Sequence, residues 1–309
     1  MTVASETLAR PSKFWEKLAV LHTEQLANAG MERMKRHQAN HYFTWRWGWV
    51  PSNEQMQFLL THTSPLAWVR AAAERVDLSD TAWHDVLWSR SERWNYAVMI
   101  RLLWHYARRQ DRIDATSLAE PTLGDPLPAY LHGRLISQDL ANSVLEANAI
   151  ARALSGRRPQ SILEIGAGYG RTAYVLLNVF PESHYTVVDI EPALSISRWY
   201  LSSLFPADRL SFLSPGELVS LPASAFDLAL SISSLQEMLP GQVAAYLSLF
   251  DRVGSPGTVY LKQWRRWHNP EDDVTLTFAE YPVPKRWQLI FRDRAPVQTN
   301  FDQAAWSVP

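Results

Sequence analysis

The sequence predicts an α/β protein in which a mostly helical N-terminal half precedes a parallel, doubly wound sheet. Before residue 155 the apolar residues recur mainly at helical spacing, whereas after Pro159 short apolar runs alternate with helical stretches. A glycine-rich turn at 166–170 joins one such run to the helix after it. We therefore divide the chain into a helical domain, 1–155, and a sheet domain, 156–309.

Helices are predicted in the N-terminal half from their start signals and from their apolar spacing. One begins at Ser52 and another at Ser79, and a last helix covers 137–154 after a turn-rich loop at 121–130. The helix from Ser79 carries an apolar stripe that indicates a buried face: Trp83, Val86, Leu87, Trp94, Val98 and Leu102.

The sheet domain is predicted from alternating strands and helices. Strands are expected at 161–165, 185–188, 210–213, 228–231 and 258–262, with helices at 174–179, 194–204 and 242–251. The tail differs, because 287–291 and 301–308 are two strand-like runs in succession. These two runs are expected to pair as an antiparallel hairpin.

Composition excludes several classes of protein. The chain has 309 residues, a net charge of −1 and no cysteine, which excludes disulfides and thiolate sites and argues against a nucleic-acid binder. No signal peptide and no membrane-spanning run of about 20 apolar residues is apparent, so a cytoplasmic protein is expected.

The glycine turn has the spacing of a cofactor loop. Residues 166–170 read Gly-x-Gly-x-Gly; a dinucleotide fingerprint prefers Gly-x-Gly-x-x-Gly, and the Gly-Lys of a P-loop is absent. Asp189 ends the next strand, where an acid accepts ribose hydroxyls, although dinucleotide enzymes place an acid similarly. A tight turn without ligand is the alternative. The favoured cofactor is S-adenosylmethionine (SAM), with these predicted contacts: Glu164, Gly166, Ala167, Gly168, Tyr169, Gly170, Asp189, Ile190 and Ser233.

Several segments together resemble the sugar O-methyltransferases of bacterial polysaccharide and natural-product gene clusters. The matching segments are 124–126, 134–140, Glu146, 163–171, 188–192, 200–201 and 233–238. The resemblance implies a class I (Rossmann-like) SAM-dependent methyltransferase fold for the second half, closed by the C-terminal hairpin. Leu235 departs from the aromatic residue expected there, which leaves the substrate open.

Two residues are candidates for removing a proton from the acceptor. Glu237 belongs to the Gln-Glu-Met element after the fourth strand, and His268 follows the fifth strand. Glu237 is equally compatible with capping a helix or pairing with an arginine, and His268 with a surface position. Substrate contacts are predicted for a further set: His132, Arg134, Gln236 and Trp264.

A metal site is not favoured. Glu271, Asp272 and Asp273 follow the fifth strand and have oxygen ligands suited to magnesium, but no aspartate ends the fourth strand to complete a site. A run of adjacent acids is usually solvated.

The tryptophans have two interpretations. Helical spacing favours core packing for Trp83, Trp88, Trp94 and Trp104. The alternating tryptophans at 45–49 fit either a core or a ring-binding surface.

The leading hypothesis is an enzyme that methylates a hydroxyl of a sugar or glycosylated small molecule. A second keeps SAM but methylates an amine or an aromatic natural product, and a third is a non-catalytic binding or dimerisation module. The apolar N-terminal half is also compatible with a homodimer.

Overall fold

The computed structural model describes residues 7–36, 53–76 and 89–309, which form two compact units. The sheet unit comprises Met1–Thr23, Ala149–Ala295 and Asn300–Pro309, and the helical unit comprises Glu24–Asn148 and Pro296–Thr299. This division differs from the predicted boundary at residue 155. The helix Gln138–Leu154 runs through the observed boundary between 148 and 149, and residues 7–23 group with the sheet.

The described helices and strands have the following bounds in chain order. The helices are α1 (Lys13–Ala29), α2 (Asn53–His62), α3 (Pro65–Ala73), α4 (Arg90–Gln110), α5 (Gln138–Leu154), α6 (Arg171–Val179), α7 (Ala193–Ser202) and α8 (Pro240–Val253). The strands are β1 (Ala129–Leu131), β2 (Arg134–Ile136), β3 (Ser161–Ile165), β4 (His184–Val188), β5 (Leu210–Leu213), β6 (Leu228–Ile232), β7 (Gly257–Trp264), β8 (Arg266–Asn269), β9 (Val274–Thr277), β10 (Gln288–Arg294) and β11 (Phe301–Val308).

The large sheet has seven strands in the order β10-β11-β7-β6-β3-β4-β5. From β5 to β7 the neighbouring strands are parallel, and β11 pairs antiparallel with both β7 and β10. The chain order therefore reverses between β3 and β6. The predicted α/β class, the Rossmann-like sheet and the C-terminal hairpin are confirmed.

Burial explains why these strands could be predicted from the sequence. Every residue of β6 is buried, as are all but the last of β7 and all but the first of β3, because helices cover both faces of a parallel sheet. The edge strand β10 is mostly exposed, so its sequence pattern predicts a strand less clearly. Two further hairpins, β1–β2 and β8–β9, were not predicted; apart from Asn269, the residues of β8 and β9 are exposed or only partly buried.

The helical unit confirms part of the predicted buried stripe. In α4, Val98 and Leu102 are buried, as is Trp104, whereas Trp94 is 40% exposed and does not belong to the core. This helix starts at Arg90 with a capping box between Ser89 and Glu92. The predicted helix start at Ser79 and the tryptophans at 45–49, 83 and 88 lie outside the described residues.

A buried arginine of α4 holds the end of α3. Arg101 is 1% exposed, and its guanidinium donates hydrogen bonds to the backbone oxygens of Ala71, Glu74 and Arg75, at 2.8–3.1 Å, and to that of Tyr130 at 2.8 Å. These acceptors include carbonyls that a helix C-terminus leaves without partners. One side chain therefore satisfies backbone groups from two elements of the helical unit.

We expect Arg101→Met to lower the free energy of unfolding by about 3 kcal/mol, because several buried carbonyls lose their donor together. Urea unfolding monitored by circular dichroism measures the change. Arg90→Gln removes an exposed arginine from the same helix and should be neutral. Equal stability of the two variants would contradict the capping role.

Candidate functional site

The glycine turn follows β3 and leads into α6. Gly166, Gly168 and Gly170 have φ values of 75, 60 and 94°, a region that residues with a Cβ enter only with strain. A Cβ on Gly166 would lie 2.1 Å from Ser234 Oγ, and one on Gly170 would lie 2.8 Å from Leu201 Cδ1. The first and last glycines are therefore required by close packing of the protein itself.

Gly168 is different, because the space beside it is open. A Cβ built there meets no described atom within 4 Å. Its neighbours Ala167 and Tyr169 point into the protein: both are buried, and the Tyr169 ring makes an edge contact of 5.1 Å with Tyr200. Both were predicted to contact a cofactor, and only their backbone is suited to that.

Asp189 ties the glycine turn to the end of β4. Its Oδ2 accepts the Gly168 backbone N–H at 2.8 Å, and its Oδ1 accepts the Ile190 backbone N–H at 2.8 Å. Burial raises the pKa of Asp189 to about 7; the two backbone hydrogen bonds act against this, and Glu191 adds to it. Each carboxylate oxygen has room for a further donor, because it has accepted only one N–H from these residues.

Glu164 lies in β3, two positions before the first glycine of the turn. It is 2% exposed, and its Oε2 accepts the Tyr185 hydroxyl at 2.8 Å. The side chain is thus directed at the neighbouring strand β4. The predicted contact with a cofactor's ammonium group is not favoured by this orientation.

The segment after β6 lies directly against the glycine turn, as the approach of Ser234 to Gly166 demonstrates. Ser233 has a φ of 56° and Gln236 is 1% exposed. Gln236 Nε2 donates to Ser233 Oγ at 2.9 Å, and its Oε1 accepts the Trp264 backbone N–H at 2.8 Å. This amide joins the ends of β6 and β7, and its predicted substrate contact stays a prediction.

Glu237 is a buried carboxyl group at this edge of the sheet. It is 7% exposed, and its Oε2 accepts the indole N–H of Trp15 at 3.1 Å. Its backbone oxygen accepts the Ser12 hydroxyl at 3.0 Å. The carboxyl group is thereby oriented by the N-terminal segment and pairs with no cation among the described residues, so the arginine-pairing interpretation is not supported.

The electrostatic setting of Glu237 suits proton transfer. Burial raises the pKa of Glu237 to about 8; hydrogen bonds from Gln236 and Trp15 oppose the shift, and the charge of Asp189 adds to it. A carboxyl group with a pKa near the working pH exchanges protons readily.

Two aromatic residues at this site were not predicted. Trp15 precedes Glu237 by 222 positions, and no local pattern connects them. Tyr281 is 8% exposed, its hydroxyl has no hydrogen-bond partner among the described residues, and burial and the charge of Glu237 raise its pKa. The charge of Glu237 acts on this hydroxyl, which is available to form a hydrogen bond with a ligand.

His268 lies on the β8–β9 hairpin with its side chain 54% exposed. Its Nδ1 is 3.1 Å from Thr275 Oγ1, within the hairpin. The structure gives His268 a surface position, one of its two sequence interpretations, and leaves Glu237 as the stronger candidate for the base.

The acidic run after β8 binds the start of α1. Asp272 accepts the backbone N–H groups of Lys13 and Phe14 at 3.3 and 3.4 Å, and Glu271 forms an ion pair of 2.5 Å with Lys17. A carboxylate is stabilising at a helix N-terminus. Within residues 7–36, 53–76 and 89–309, no three His, Asp or Glu side chains are grouped as metal ligands.

The structure also places the other residues that were predicted to bind substrate, together with the glutamate that follows β5. His132 and Arg134 belong to the helical unit, where the Arg134 guanidinium lies 5.2 Å from the centre of the Trp104 ring. Trp264 packs against Phe301, with ring centres 5.0 Å apart. Glu217 forms a capping box with Ser214, which lowers its pKa.

None of the helices that the structure describes has the length and apolar character needed to cross a bilayer.

Comparison with known proteins gives limited similarity. No family model matches the chain. It is 30% identical over 125 residues to a malonyl-[acyl-carrier protein] O-methyltransferase from Paenibacillus sp. (strain JDR-2), which covers 39% of this chain and 44% of that protein. The chain thus spans less than half the length of this relative.

Two solved structures are also similar. The 1,6-didemethyltoxoflavin-N1-methyltransferase of Burkholderia thailandensis, solved with S-adenosylhomocysteine, has a TM-score of 0.44 and 20% identity, covering 53% of this chain and 76% of that chain. The N-methyltransferase NodS of Bradyrhizobium japonicum WM9 has a TM-score of 0.39 and 13% identity, covering 53% and 85%.

Proposed function

We propose that this chain, whose sheet has the Rossmann-like order of class I methyltransferases, binds SAM beside Gly168 and Asp189 and methylates a hydroxyl of a small molecule. The observation that carries the proposal is the pairing of the Asp189 carboxylate with the open side of the glycine turn. In parallel α/β sheets, ligands bind at the carboxyl ends of the strands where the strand order reverses. Here that point lies between β3 and β6.

The residues present fit this cofactor. The backbone of the turn at 166–170 allows close approach at Gly168, and Asp189 supplies acceptors for two ribose hydroxyls. The backbone of Ile190 and the Ser233 hydroxyl complete the contacts that we assign to it. When bound, SAM supplies a methyl group made electrophilic by its sulfonium.

Glu237 acts as the general base. When SAM is bound, transfer of its methyl group to a hydroxyl would release the proton of that hydroxyl, and the carboxylate of Glu237 would take that proton. Trp15 holds Oε2 of this carboxylate, so the group is already oriented before the acceptor arrives. Burial removes competing water, which strengthens the base in its site.

The acceptor that we propose is a hydroxyl of a sugar or glycosylated natural product, in keeping with the Gln-Glu-Met element at 236–238. The O-methyltransferase activity named for the Paenibacillus relative supports oxygen as the methylated atom. Its acceptor is not a sugar, so malonyl-[acyl-carrier protein] belongs in any panel of acceptors. Substrate binding by His132, Arg134 and Trp264, a homodimer and a cytoplasmic location stay predictions.

Calorimetry with SAM and S-adenosylhomocysteine tests the cofactor assignment. Both should bind at micromolar concentrations, with one site per chain. Transfer of isotope-labelled methyl from SAM to sugars, amines, aromatic alcohols and malonyl-[acyl-carrier protein] then identifies the acceptor class. Failure of both cofactor forms to bind would remove every methyltransferase hypothesis, and transfer to amines alone would overturn the hydroxyl assignment.

We expect Trp15→Phe to shift the pH dependence of methyl transfer to higher pH. The indole N–H stabilises the ionised form of Glu237, so its removal raises the pKa of Glu237 above about 8. The rate of single-turnover methyl transfer, measured from pH 6 to 10, should have a higher midpoint and a similar plateau. A lower plateau with an unchanged midpoint would assign Trp15 to substrate binding instead.

A further inference from the structure

The helical unit contains a cavity of about 470 Å³ between three of its own elements. Its wall combines the α2–α3 corner, the end of α4 and the turn between β1 and β2. We call it the basic cavity, after its principal lining residues: Ser64, Arg70, His105, Arg108, Arg109 and His132. A volume of this size suits a small organic molecule rather than a lone ion.

Positive charge dominates this wall. Arg70, Arg108 and Arg109 come from two helices, and none of them forms an ion pair with another described residue. One acidic group lies close to this set: Glu74 acts electrostatically on His105, and its Oε1 accepts the His132 backbone N–H at 2.6 Å. Guanidinium groups placed around one cavity can match the oxygens of an anion with paired N–H donors.

His105 adds an independent indication that the basic cavity takes a polar ligand. Its Nε2 is buried and has no hydrogen-bond partner among the described residues. Burial lowers the pKa of His105; Arg108 on its own helix, His132 and Arg70 lower it further, and Glu74 opposes them. These effects favour the neutral form of the ring. An anion placed here would favour its protonation and give Nε2 an acceptor.

We propose that the basic cavity binds the phosphate group of a phosphorylated small molecule. A phosphate monoester carries a charge of about −1.5 to −2 at pH 7, so it neutralises several arginines better than a carboxylate, which carries a single charge. Its three terminal oxygens can accept from guanidinium groups on both helices, and the remaining volume takes the organic part. The proposal does not rest on the SAM site, since every residue in it belongs to the helical unit.

Titration calorimetry of the full chain with phenyl phosphate, benzoate and phenol tests the proposal at low ionic strength. Phenyl phosphate should bind and phenol should not, and added salt should weaken binding. The double variant Arg108→Gln/Arg109→Gln should lower the affinity by about tenfold or more, and Arg90→Gln, an exposed arginine at the other end of α4, should leave it unchanged. Both substituted arginines are exposed, so thermal unfolding should confirm an intact fold.

Three outcomes would overturn the proposal. They are no binding of phenyl phosphate at millimolar concentration, binding that survives the double variant, and benzoate binding as tightly as phenyl phosphate. The affinity for S-adenosylhomocysteine in the same double variant should equal that of the parent chain, which separates this proposal from the proposed function.

Proton uptake supplies a second readout that a purely structural His105 would not give. At pH 7.5 phenyl phosphate is already a dianion, because its second pKa is about 6. Calorimetry in buffers of different ionisation enthalpy should therefore detect proton uptake on binding to the parent chain and little uptake in His105→Gln. Equal uptake in both would assign the proton to another group and remove His105 from the site.

Discussion

Glu237→Gln should lower the rate of methyl transfer by about 10²- to 10⁴-fold while leaving the affinity for S-adenosylhomocysteine within about twofold of the parent value. Glutamine keeps the size of the side chain and can still accept the Trp15 indole N–H, but it cannot take a proton. The loss therefore falls on the transition state rather than on binding of the cofactor.

The pH profile makes this expectation specific. Because the pKa of Glu237 is raised to about 8, the base-competent carboxylate accumulates as the pH rises through 8. The parent rate should therefore climb about tenfold per pH unit well below 8 and level off above it, whereas the glutamine variant should have a flat, low profile. Single-turnover transfer of labelled methyl to the identified acceptor measures both curves.

Glu182→Gln is the matched control, since Glu182 is an exposed glutamate of the sheet unit and its loss should not change the rate. Full turnover by Glu237→Gln with a genuine acceptor would remove Glu237 from the mechanism. Tyr281, whose buried hydroxyl faces the same electrostatic environment, would then be the next residue to substitute.

The sheet could be predicted because a buried parallel strand needs an apolar side chain on both faces. β6 and β7 are almost wholly buried and each contains a short run of apolar residues, 228–230 and 259–261, which marks its position in the sequence. The glycine turn could also be predicted, because a backbone with three left-handed φ angles in five residues requires glycine at those positions. The position of Asp189 could be predicted because it comes directly after β4.

The surroundings of Glu237 could not be predicted in this way. Ser12 and Trp15 reach it from the N-terminal segment through hydrogen bonds that no periodicity encodes, and 222 positions separate Trp15 from Glu237. Gln236 is a second example. Its amide resembles a substrate-binding group in sequence, but the ends of β6 and β7 need both of its polar atoms. Long-range pairing of polar atoms decides such roles, and sequence spacing does not report it.

Asp189→Asn should weaken the binding of SAM by about 10²- to 10³-fold. Each hydrogen bond from a hydroxyl to a charged acceptor contributes about 1.5–3 kcal/mol, and the asparagine loses the charge and turns one acceptor into a donor. That NH₂ group must face the backbone N–H of Gly168 or Ile190, or a ribose hydroxyl. Calorimetry with SAM measures the loss, and Asp208→Asn, an exposed aspartate of the same unit, should bind normally.

The stability of the unliganded Asp189→Asn variant should depend on pH differently from that of the parent chain. Burial raises the pKa of Asp189 from the ordinary value of 3.8 to about 7, so its contribution to stability is greatest below 3.8 and falls as the pH rises through 7. Asparagine does not titrate. The stability of Asp189→Asn relative to the parent chain should therefore increase as the pH rises from 5 to 8, on top of a pH-independent loss from the NH₂ group that faces a backbone N–H. A stability difference that does not change over this pH range would contradict the raised pKa of Asp189.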